Sequence, residues 1–286
     1  MTTSNTLQKN PEVLILPDTK TLLLQHKEHA LFITLNRPKA RNAMSLEMVQ
    51  ELVAVFKAVH NSLTIRAVVL RGAEGHFCAG GDIKDMAGAR AKAQSNASDE
   101  RADPFYELNR AFGQMLIMAN QLPQVLIVVA EGAVLGGGFG LVCISDVALC
   151  TNTAKFGLPE TGLGIPPAQI APFVVSRIGL TQARRLALLG IRFDGMEAKQ
   201  LGIVHETHAD TDALNTALKS VLTSVKRCAP QANKTTKSLI LSVGQQPLDE
   251  LLDKAAHSFS AAVQGTEGQE GTFAFIQKRP PNWSAE

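Results

Sequence analysis

Hydrophobic residues fall into short runs that alternate with helical patterns over the first two thirds of the chain. The segment "TLLLQHKEHALFITL" contains two such runs, 21–25 and 31–35, separated by a short polar turn, which predicts a β-hairpin. Apolar residues then recur at helical spacing from Met48 to Val59. Ser45 precedes them and belongs to the residue types that cap helices well. The pattern therefore predicts two strands followed by a helix.

Three later apolar runs, "AVVLRG", "PQVLIVVA" and "DVALC", predict buried strands with helical patterns between them. From residue 172 onward the pattern is mostly helical. Short strands that cross over through helices pair in parallel, so we expect an α/β fold with a helical C-terminal region. The polar segment 88–103 predicts a mobile loop or a frayed helix, and residues 1–18 predict a flexible arm.

Composition and charge argue against a nucleic-acid-binding, membrane-spanning or disulfide-rich secreted protein. The chain has 286 residues, 45% of them hydrophobic, which is enough for a large core. A net charge of +2 with scattered basic residues gives no stripe for nucleic acid. The apolar runs are far shorter than the roughly 20 residues that span a bilayer. The first residues lack the features of a signal peptide, and the four cysteines fit no disulfide framework. We therefore expect a cytoplasmic protein with no membrane or nucleic-acid partner.

The stretch "EGAVLGGGFGLVCISD" places Gly136, Gly137 and Gly138 where a strand hands over to a helix. A dinucleotide fingerprint starting at Gly136 would need a glycine at Leu141, and the chain contains no GxxxxGK[ST] motif. Two interpretations remain. The glycines form a tight turn that tolerates positive φ or close packing, or they leave helix N–H groups uncovered where negative charge is stabilised.

A second glycine loop favours the chemical interpretation. The segment "GHFCAGGDIKDM" follows the strand "AVVLRG" and places Gly80 and Gly81 just ahead of a predicted helix. If one bare amide from each loop faced the other, the pair would bind an oxyanion. Each such donor contributes about 2.7–4 kcal/mol to transition-state stabilisation.

Four motifs in this order give the chain a family resemblance: "NRPKARNAMS", "FCAGGDIKDM", "GAVLGGGFGLVCISDVAL" and "FGLPETGLGIPP". Over residues 20–283 the chain resembles the enoyl-CoA hydratase/isomerase (crotonase) family. The resemblance implies a ββα spiral core over 19–205 and a helical trimerisation region over 206–286, with trimers or dimers of trimers. It also implies a coenzyme A thioester substrate and neither a metal nor a redox cofactor.

The resemblance assigns roles residue by residue. The amides of Gly81 and Gly137 would hold the thioester oxygen. Four positions would receive the nucleotide and pantetheine of coenzyme A, and two would reach the coenzyme A of a neighbouring subunit. The first four are Lys39, Arg41, Ala79 and Ile83, and the other two are Phe259 and Lys278. The basic residues are also compatible with solvated surface charges, and Phe259 with ordinary helix packing.

The acid–base residues depart from the two-carboxylate pattern of the best-known hydratases. Glu160, in "LPETG", matches the second glutamate of that pattern, whereas Gly140 occupies the place of the first. Two carboxylates allow one to hold water while the other exchanges a proton. A single glutamate resembles the double-bond isomerases of the family, in which one base moves a proton between C2 and C4. Gly140 also predicts extra volume for a bulky acyl branch.

The segment "GIPPAQIAPFVVSRIG" instead resembles hydratases of branched glutaconyl-CoA esters, from leucine or acyclic terpene breakdown. We therefore expect a hydratase of a substrate such as isohexenylglutaconyl-CoA or methylglutaconyl-CoA, with Glu160 as principal acid–base. Gln169 and the Ala168 amide are the candidates for positioning water, although Gln169 is also compatible with a bond to its own loop. The alternatives are an isomerase and a non-catalytic acyl-CoA- or RNA-binding protein.

Overall fold

The computed structural model describes residues 14–62, 64–95 and 103–284. The strands are β1 (Leu22–Lys27), β2 (Ala30–Leu35), β3 (Ala67–Gly72), β4 (Val125–Ala130), β5 (Ala133–Leu135), β6 (Val147–Thr151), β7 (Lys155–Gly157), β8 (Arg192–Asp194) and β9 (Glu206–His208). The helices are α1 (Leu46–Val59), α2 (Ile83–Ser95), α3 (Pro104–Asn120), α4 (Gly137–Cys143), α5 (Ala171–Leu189), α6 (Gly195–Gln200), α7 (Thr211–Arg227), α8 (Pro230–Leu241), α9 (Leu248–Gln264) and α10 (Thr266–Ile276). In the described part of the chain, no helix is long and apolar enough to cross a bilayer.

A six-stranded sheet in the order β1-β2-β3-β4-β6-β9 forms the centre of the molecule. β1 and β2 pair antiparallel, as the hairpin pattern predicts, and all other neighbours pair in parallel. Parallel neighbours need crossover connections, and α1 to α4 supply those between β2 and β6. The Ser45 hydroxyl caps α1 by accepting a hydrogen bond from the Met48 amide at 3.2 Å.

A second, smaller sheet contains β5, β7 and β8, with β5 and β7 parallel. Two isolated parallel pairs, Met44 with Gly81 and Cys78 with Val134, extend the same arrangement toward the earlier part of the chain. Two successive turns, β4–β5–α4 and β6–β7–α5, therefore each place one strand in the large sheet and one in the small sheet before a helix. This confirms the predicted α/β class with its repeated ββα turn.

Both faces of the large sheet are buried, as is usual for parallel sheets. Along β3, Val68 and Leu70 face the main core, whereas Val69 packs on the opposite face against Leu214 and Leu218 of α7. β9 completes the large sheet, and α7 packs on its second face. The segment 88–103 is helical as far as Ser95, and its residues 96–102 lie outside the described part.

A partly buried ion pair attaches α8 to the large sheet. Lys237 Nζ lies 2.6 Å from Asp146 Oδ2 and donates to the Gln124 carbonyl at 3.2 Å. The same Asp146 oxygen accepts the Leu126 amide at 2.7 Å, at the start of β4. The side chain of Lys237 is only 13% exposed, so its charge depends on this carboxylate.

We expect Lys237→Ala to lower the free energy of unfolding by about 1.5–3 kcal/mol, because it removes a charge-assisted hydrogen bond and leaves Asp146 without its cation. The measurement is urea unfolding of the variant and the wild type. Lys234→Ala is the matched control, since Lys234 is exposed on the same helix. Equal stability losses in the two variants would show that the ion pair does not contribute.

Candidate active site

The first glycine loop is held by backbone and side-chain bonds around residues 79–82. The Met44 amide donates to the Gly80 carbonyl at 2.8 Å, and the Asp82 amide donates to the Met44 carbonyl at 2.9 Å. Arg37 forms an ion pair with the Asp82 carboxylate at 2.5 Å. Burial opposes ionisation of Asp82, but the hydrogen bonds from Arg37 and the Lys84 amide, with the charges of Arg37 and Lys84, together outweigh burial and lower the pKa of that carboxyl. The loop therefore has a fixed shape ahead of α2.

The second glycine loop lies between β5 and α4. Gly136 has φ of 50°, in the left-handed region that favours glycine, and α4 begins at the next residue. A Cβ placed on Gly138 would lie 2.7 Å from Cys78 Cβ, so the two loops pack together too closely for a side chain at this position. The predicted tight turn and the predicted uncovered helix start are both present.

The two loops bring Gly81 and Gly137 to one cavity. Gly80 Cα lies only 3.5 Å from the position that a Cβ of Gly136 would occupy, so the residues that precede the two amides are in contact. Among the described residues, neither the Gly81 nor the Gly137 amide donates a hydrogen bond to a protein acceptor. These two amides are available to bind an oxyanion.

Glu160 lies beside the same loops, at the start of a short 3-10 helix (Glu160–Leu163) that follows β7. Its Oε1 is 2.5 Å from the Cβ position of Gly136, so any side chain at 136 would displace the carboxyl group. Its Oε2 is buried and has no hydrogen-bond partner in the described part of the chain. Burial raises the pKa of Glu160. A carboxyl group with a raised pKa is a stronger base when it is ionised, which suits proton transfer.

The cavity has a volume of about 720 Å³ and lies between α1, α2, α3 and the loop 165–170. Its apolar lining includes Val49, Met86, Leu108, Phe112, Ile165 and Ile170. Its charged lining residues are Asp82, Asp85, Arg90, Asp103 and Glu160. Apart from Glu160, the acidic groups have partners: Arg37 for Asp82, the Leu46 amide for Asp85, and the first turn of α3 for Asp103. A largely apolar cavity in which Glu160 is the acidic residue without a partner suits an acyl group.

Gly140 does not provide volume for the acyl group, so that expectation is wrong. A Cβ on Gly140 would lie 2.4 Å from Ile170 Cγ2 and 3.7 Å from Leu116 Cδ1. Ile170 itself is 3% exposed. The space above Gly140 is therefore filled by the isoleucine at the end of the "GIPPAQI" loop. Sequence reasoning missed Ile170, because the contact joins two segments thirty residues apart.

The structure distinguishes the two candidates for water positioning. The Ala168 amide donates to the Pro166 carbonyl at 2.9 Å, so it is not available, and that prediction is wrong. Gln169 lines the cavity, and its Nε2 donates to Asn109 Oδ1 at 2.9 Å. The alternative that Gln169 bonds its own loop backbone is therefore also wrong. Asn109 is a further residue that the sequence did not indicate.

The predicted coenzyme A residues lie in three places. Lys39 and Arg41 are exposed, and the Arg41 carbonyl accepts the Ala79 amide at 3.0 Å, which joins this turn to the first glycine loop. Ile83 begins α2, and its side chain lies outside the described part. Phe259 and Lys278 are in the C-terminal region and do not line the cavity. Their contact with a neighbouring subunit stays a prediction, as does coenzyme A binding by the other four.

We expect Gly140→Ala to lower the free energy of unfolding by about 1–3 kcal/mol, because its methyl group would collide with Ile170. Ile170→Ala alone should cost about 2–5 kcal/mol through the cavity it leaves. The double variant should be more stable than the sum of the single losses predicts, since each change accommodates the other. Denaturant unfolding of all four proteins measures this coupling, and strict additivity would contradict the contact.

The chain is similar to known proteins over most of its length. The family model described as "Enoyl-CoA hydratase/isomerase" matches residues 25–286. The solved structure of Pseudomonas aeruginosa AtuE is 59% identical, with a TM-score of 0.89, and the match covers 93% of this chain and 100% of that one. Enoyl-CoA hydratase EchA19 of Mycobacterium tuberculosis is 30% identical over 91% of this chain and 95% of its own length.

The 2,3-dehydroadipyl-CoA hydratase of Escherichia coli is 29% identical over 92% of this chain and 98% of its own length. The matches extend over nearly all of the helices and strands described above, and the structural match confirms the predicted crotonase fold. The chain belongs to the enoyl-CoA hydratase/isomerase family.

Proposed function

We propose that the protein is an enoyl-CoA hydratase that adds water across the 2,3-double bond of a branched enoyl-CoA. One observation carries the proposal: the Glu160 carboxyl group, whose Oε2 is buried and unpartnered, lies beside two free backbone amides in one large cavity of the described chain. The amides suit a thioester oxygen that gains negative charge, and the carboxyl suits a proton that moves at C2 or C3. Coenzyme A is part of the substrate.

In this mechanism the water oxygen forms a bond to C3 while the Glu160 carboxylate accepts one of its protons. The electron pair of the double bond moves through C2 to the thioester oxygen, and the amides of Gly81 and Gly137 stabilise the resulting enolate. The enolate then collapses and C2 takes the proton back from Glu160. One carboxyl group thus balances the reaction, because it returns the proton that it removes. Gln169 is our candidate for holding the water before attack.

The second candidate function is isomerisation, which the single carboxyl also supports. Glu160 would remove a proton from C2 of a 3-enoyl-CoA and return it at C4, with the same enolate held by the same amides. The two reactions differ only in whether a water molecule is held against C3. A polar side chain in the cavity, Gln169, therefore favours the hydratase.

For the substrate, we propose a branched glutaconyl-CoA such as isohexenylglutaconyl-CoA or methylglutaconyl-CoA. A glutaconyl group has a free carboxylate in addition to its thioester, and Arg90 is the only basic residue among the described residues that line the cavity. The cavity volume of about 720 Å³ also suits a branched chain. The relative named 2,3-dehydroadipyl-CoA hydratase is consistent with an acyl group that carries a second carboxylate.

We further propose that the protein assembles into trimers or dimers of trimers, which would bring Phe259 and Lys278 of one subunit toward the coenzyme A of the next. Both residues lie away from the cavity of their own chain, and the Phe259 side chain is 72% exposed. Several large apolar side chains of α9 and α10 are exposed as well, and burying them would stabilise an assembly.

The direct test follows the conjugated thioester absorbance of straight and branched 2-enoyl-CoA esters, with products identified by mass. We expect loss of absorbance and formation of 3-hydroxyacyl-CoA, and a Glu160→Gln variant should lower kcat by about 10²–10⁴-fold. Because burial raises the pKa of Glu160, the acid limb of kcat/KM should lie above the pKa of an exposed glutamate. The rate should fall as pH decreases through that limb, since the carboxylate is the base.

Glu107→Gln is the matched control, because Glu107 is exposed on α3 and does not line the cavity. Absorbance gained from a 3-enoyl-CoA, with no hydration of any 2-enoyl-CoA, would establish the isomerase. Thioester binding without turnover, unchanged by Glu160→Gln, would establish a non-catalytic protein.

Substitution of Arg90 tests the substrate class. We expect Arg90→Gln to raise KM for a glutaconyl-type ester by roughly 3–10-fold and to leave KM for crotonyl-CoA unchanged, since crotonyl-CoA has no second carboxylate. The difference should shrink at high salt, because an exposed ion pair is screened. Lys84→Gln is the control, because Lys84 is exposed on the same helix and does not line the cavity. Equal changes for both esters would contradict the role of Arg90.

A further inference from the structure

Gly113 leaves an empty side-chain position on the face of helix α3 that meets the loop 165–170, and the Gln169 side chain fills this space. A Cβ on Gly113 would lie 1.8 Å from Gln169 Oε1 and 2.6 Å from its Cδ. A glycine in a helix interior costs about 1 kcal/mol relative to alanine. This glycine allows the amide of Gln169 to lie directly against the helix backbone.

Asn109 holds the other end of the same amide. It precedes Gly113 by four residues, so the two positions lie on one face of α3, one turn apart. Its Oδ1 accepts the hydrogen bond from Gln169 Nε2 at 2.9 Å. With Nε2 bound in this way, Gln169 Oε1 is the atom of the amide that keeps acceptor capacity. One helical turn thus fixes both the place and the orientation of a single side chain.

The next residue, Ile170, anchors the same loop on helix α4. Ile170 is buried and occupies the space above Gly140, where a longer side chain on α4 would otherwise project. Two consecutive residues therefore have separate tasks: Ile170 fills apolar volume, and Gln169 places a polar amide in the cavity that Glu160 also lines.

We propose that Asn109 is a positioning residue for hydration: it orients Gln169 so that the Oε1 atom accepts one hydrogen of the attacking water. The Glu160 carboxylate accepts the other hydrogen as the water oxygen bonds to C3. No further reactant is needed, because the proton on Glu160 passes to C2 of the enolate. This inference rests on the proposed function and assigns to an amide pair the water-holding task that a second carboxylate would perform.

Water addition at C3 and proton exchange at C2 share this site but need different groups. Water addition needs the Asn109–Gln169 pair, the two amides and Glu160. Exchange of the C2 protons of a saturated acyl-CoA with deuterium from D₂O needs only the amides and Glu160, because no water adds to C3. A defect in water positioning should therefore lower hydration far more than exchange.

The experiment measures both reactions in Asn109→Ala and Gly113→Ala, using butyryl-CoA for exchange and the preferred 2-enoyl-CoA for hydration. We expect each substitution to lower the kcat of hydration by about 10–100-fold, within the range for loss of a catalytic hydrogen bond, while KM changes less than about threefold. Gly113→Ala acts without deleting a polar group, because its methyl group displaces the Gln169 amide. The double variant should lose no more than the more impaired single variant.

Conservative substitution provides the rescue. Asn109→Asp retains an acceptor for Gln169 Nε2, so its hydration rate should exceed that of Asn109→Ala by at least about fivefold. Gln114→Ala is the matched control, because Gln114 is exposed on α3 and does not line the cavity. The hydration rate should fall in Asn109→Ala and Gly113→Ala, whereas Gln114→Ala should keep the wild-type rate.

Three results would overturn the proposal: hydration at the wild-type rate in Asn109→Ala, hydration and exchange falling in parallel, or no rescue by aspartate. The first two, obtained with an inactive Glu160→Gln, would reject the positioning role and leave the hydratase intact. Absence of hydration in the wild type, or a fully active Glu160→Gln, would reject the proposed function and this inference with it.

Discussion

The close approach of two glycine loops is the constraint on which the site depends. Gly138 packs against Cys78 at a separation that excludes a side chain, and Gly136 is in van der Waals contact with Gly80. The contact has two effects. It brings one free amide from each loop to the same cavity of the described chain, and it leaves beside Gly136 the space that the Glu160 carboxyl group occupies. An amide pair of this kind is useful because its donors are already fixed before charge develops on the substrate.

The two-sheet architecture places these loops together. The first glycine loop contains the isolated pairing of Met44 with Gly81, and the second follows the pairing of β5 with β7. Cys78 and Val134 pair directly between them, so adjacent turns of the chain deliver adjacent loops. Burial then influences the chemistry, because a partly buried carboxyl group whose Oε2 lacks a partner among the described residues holds its proton more tightly than an exposed one.

The replacement of one carboxylate by Gly140 alters the site without enlarging it. Ile170 fills the position above that glycine, and the loop that brings Ile170 also brings Gln169 against α3. A site with one carboxyl group remains able to complete hydration, since that group can return the proton it removes. Such a site needs a second group to hold the water. A side-chain amide can do this without changing its own protonation state.

The sequence by itself determined the five longer strands, most of the helices, the α/β class and the four motifs that identify the family, but not the three-residue strands β5, β7, β8 and β9. These depend on period, capping and turn residues, which are local properties of the chain; Ser45 and the glycines around 136 are examples. It also indicated Glu160 and the two amides through the motif pattern. Only the tertiary structure decided that Ala168 is bonded within its loop, that Ile170 fills the space at Gly140, and that Asn109 holds Gln169. The last two facts depend on which residues meet across segments that are 30 to 60 residues apart, and the spacing of hydrophobic residues along the chain carries no information about such contacts.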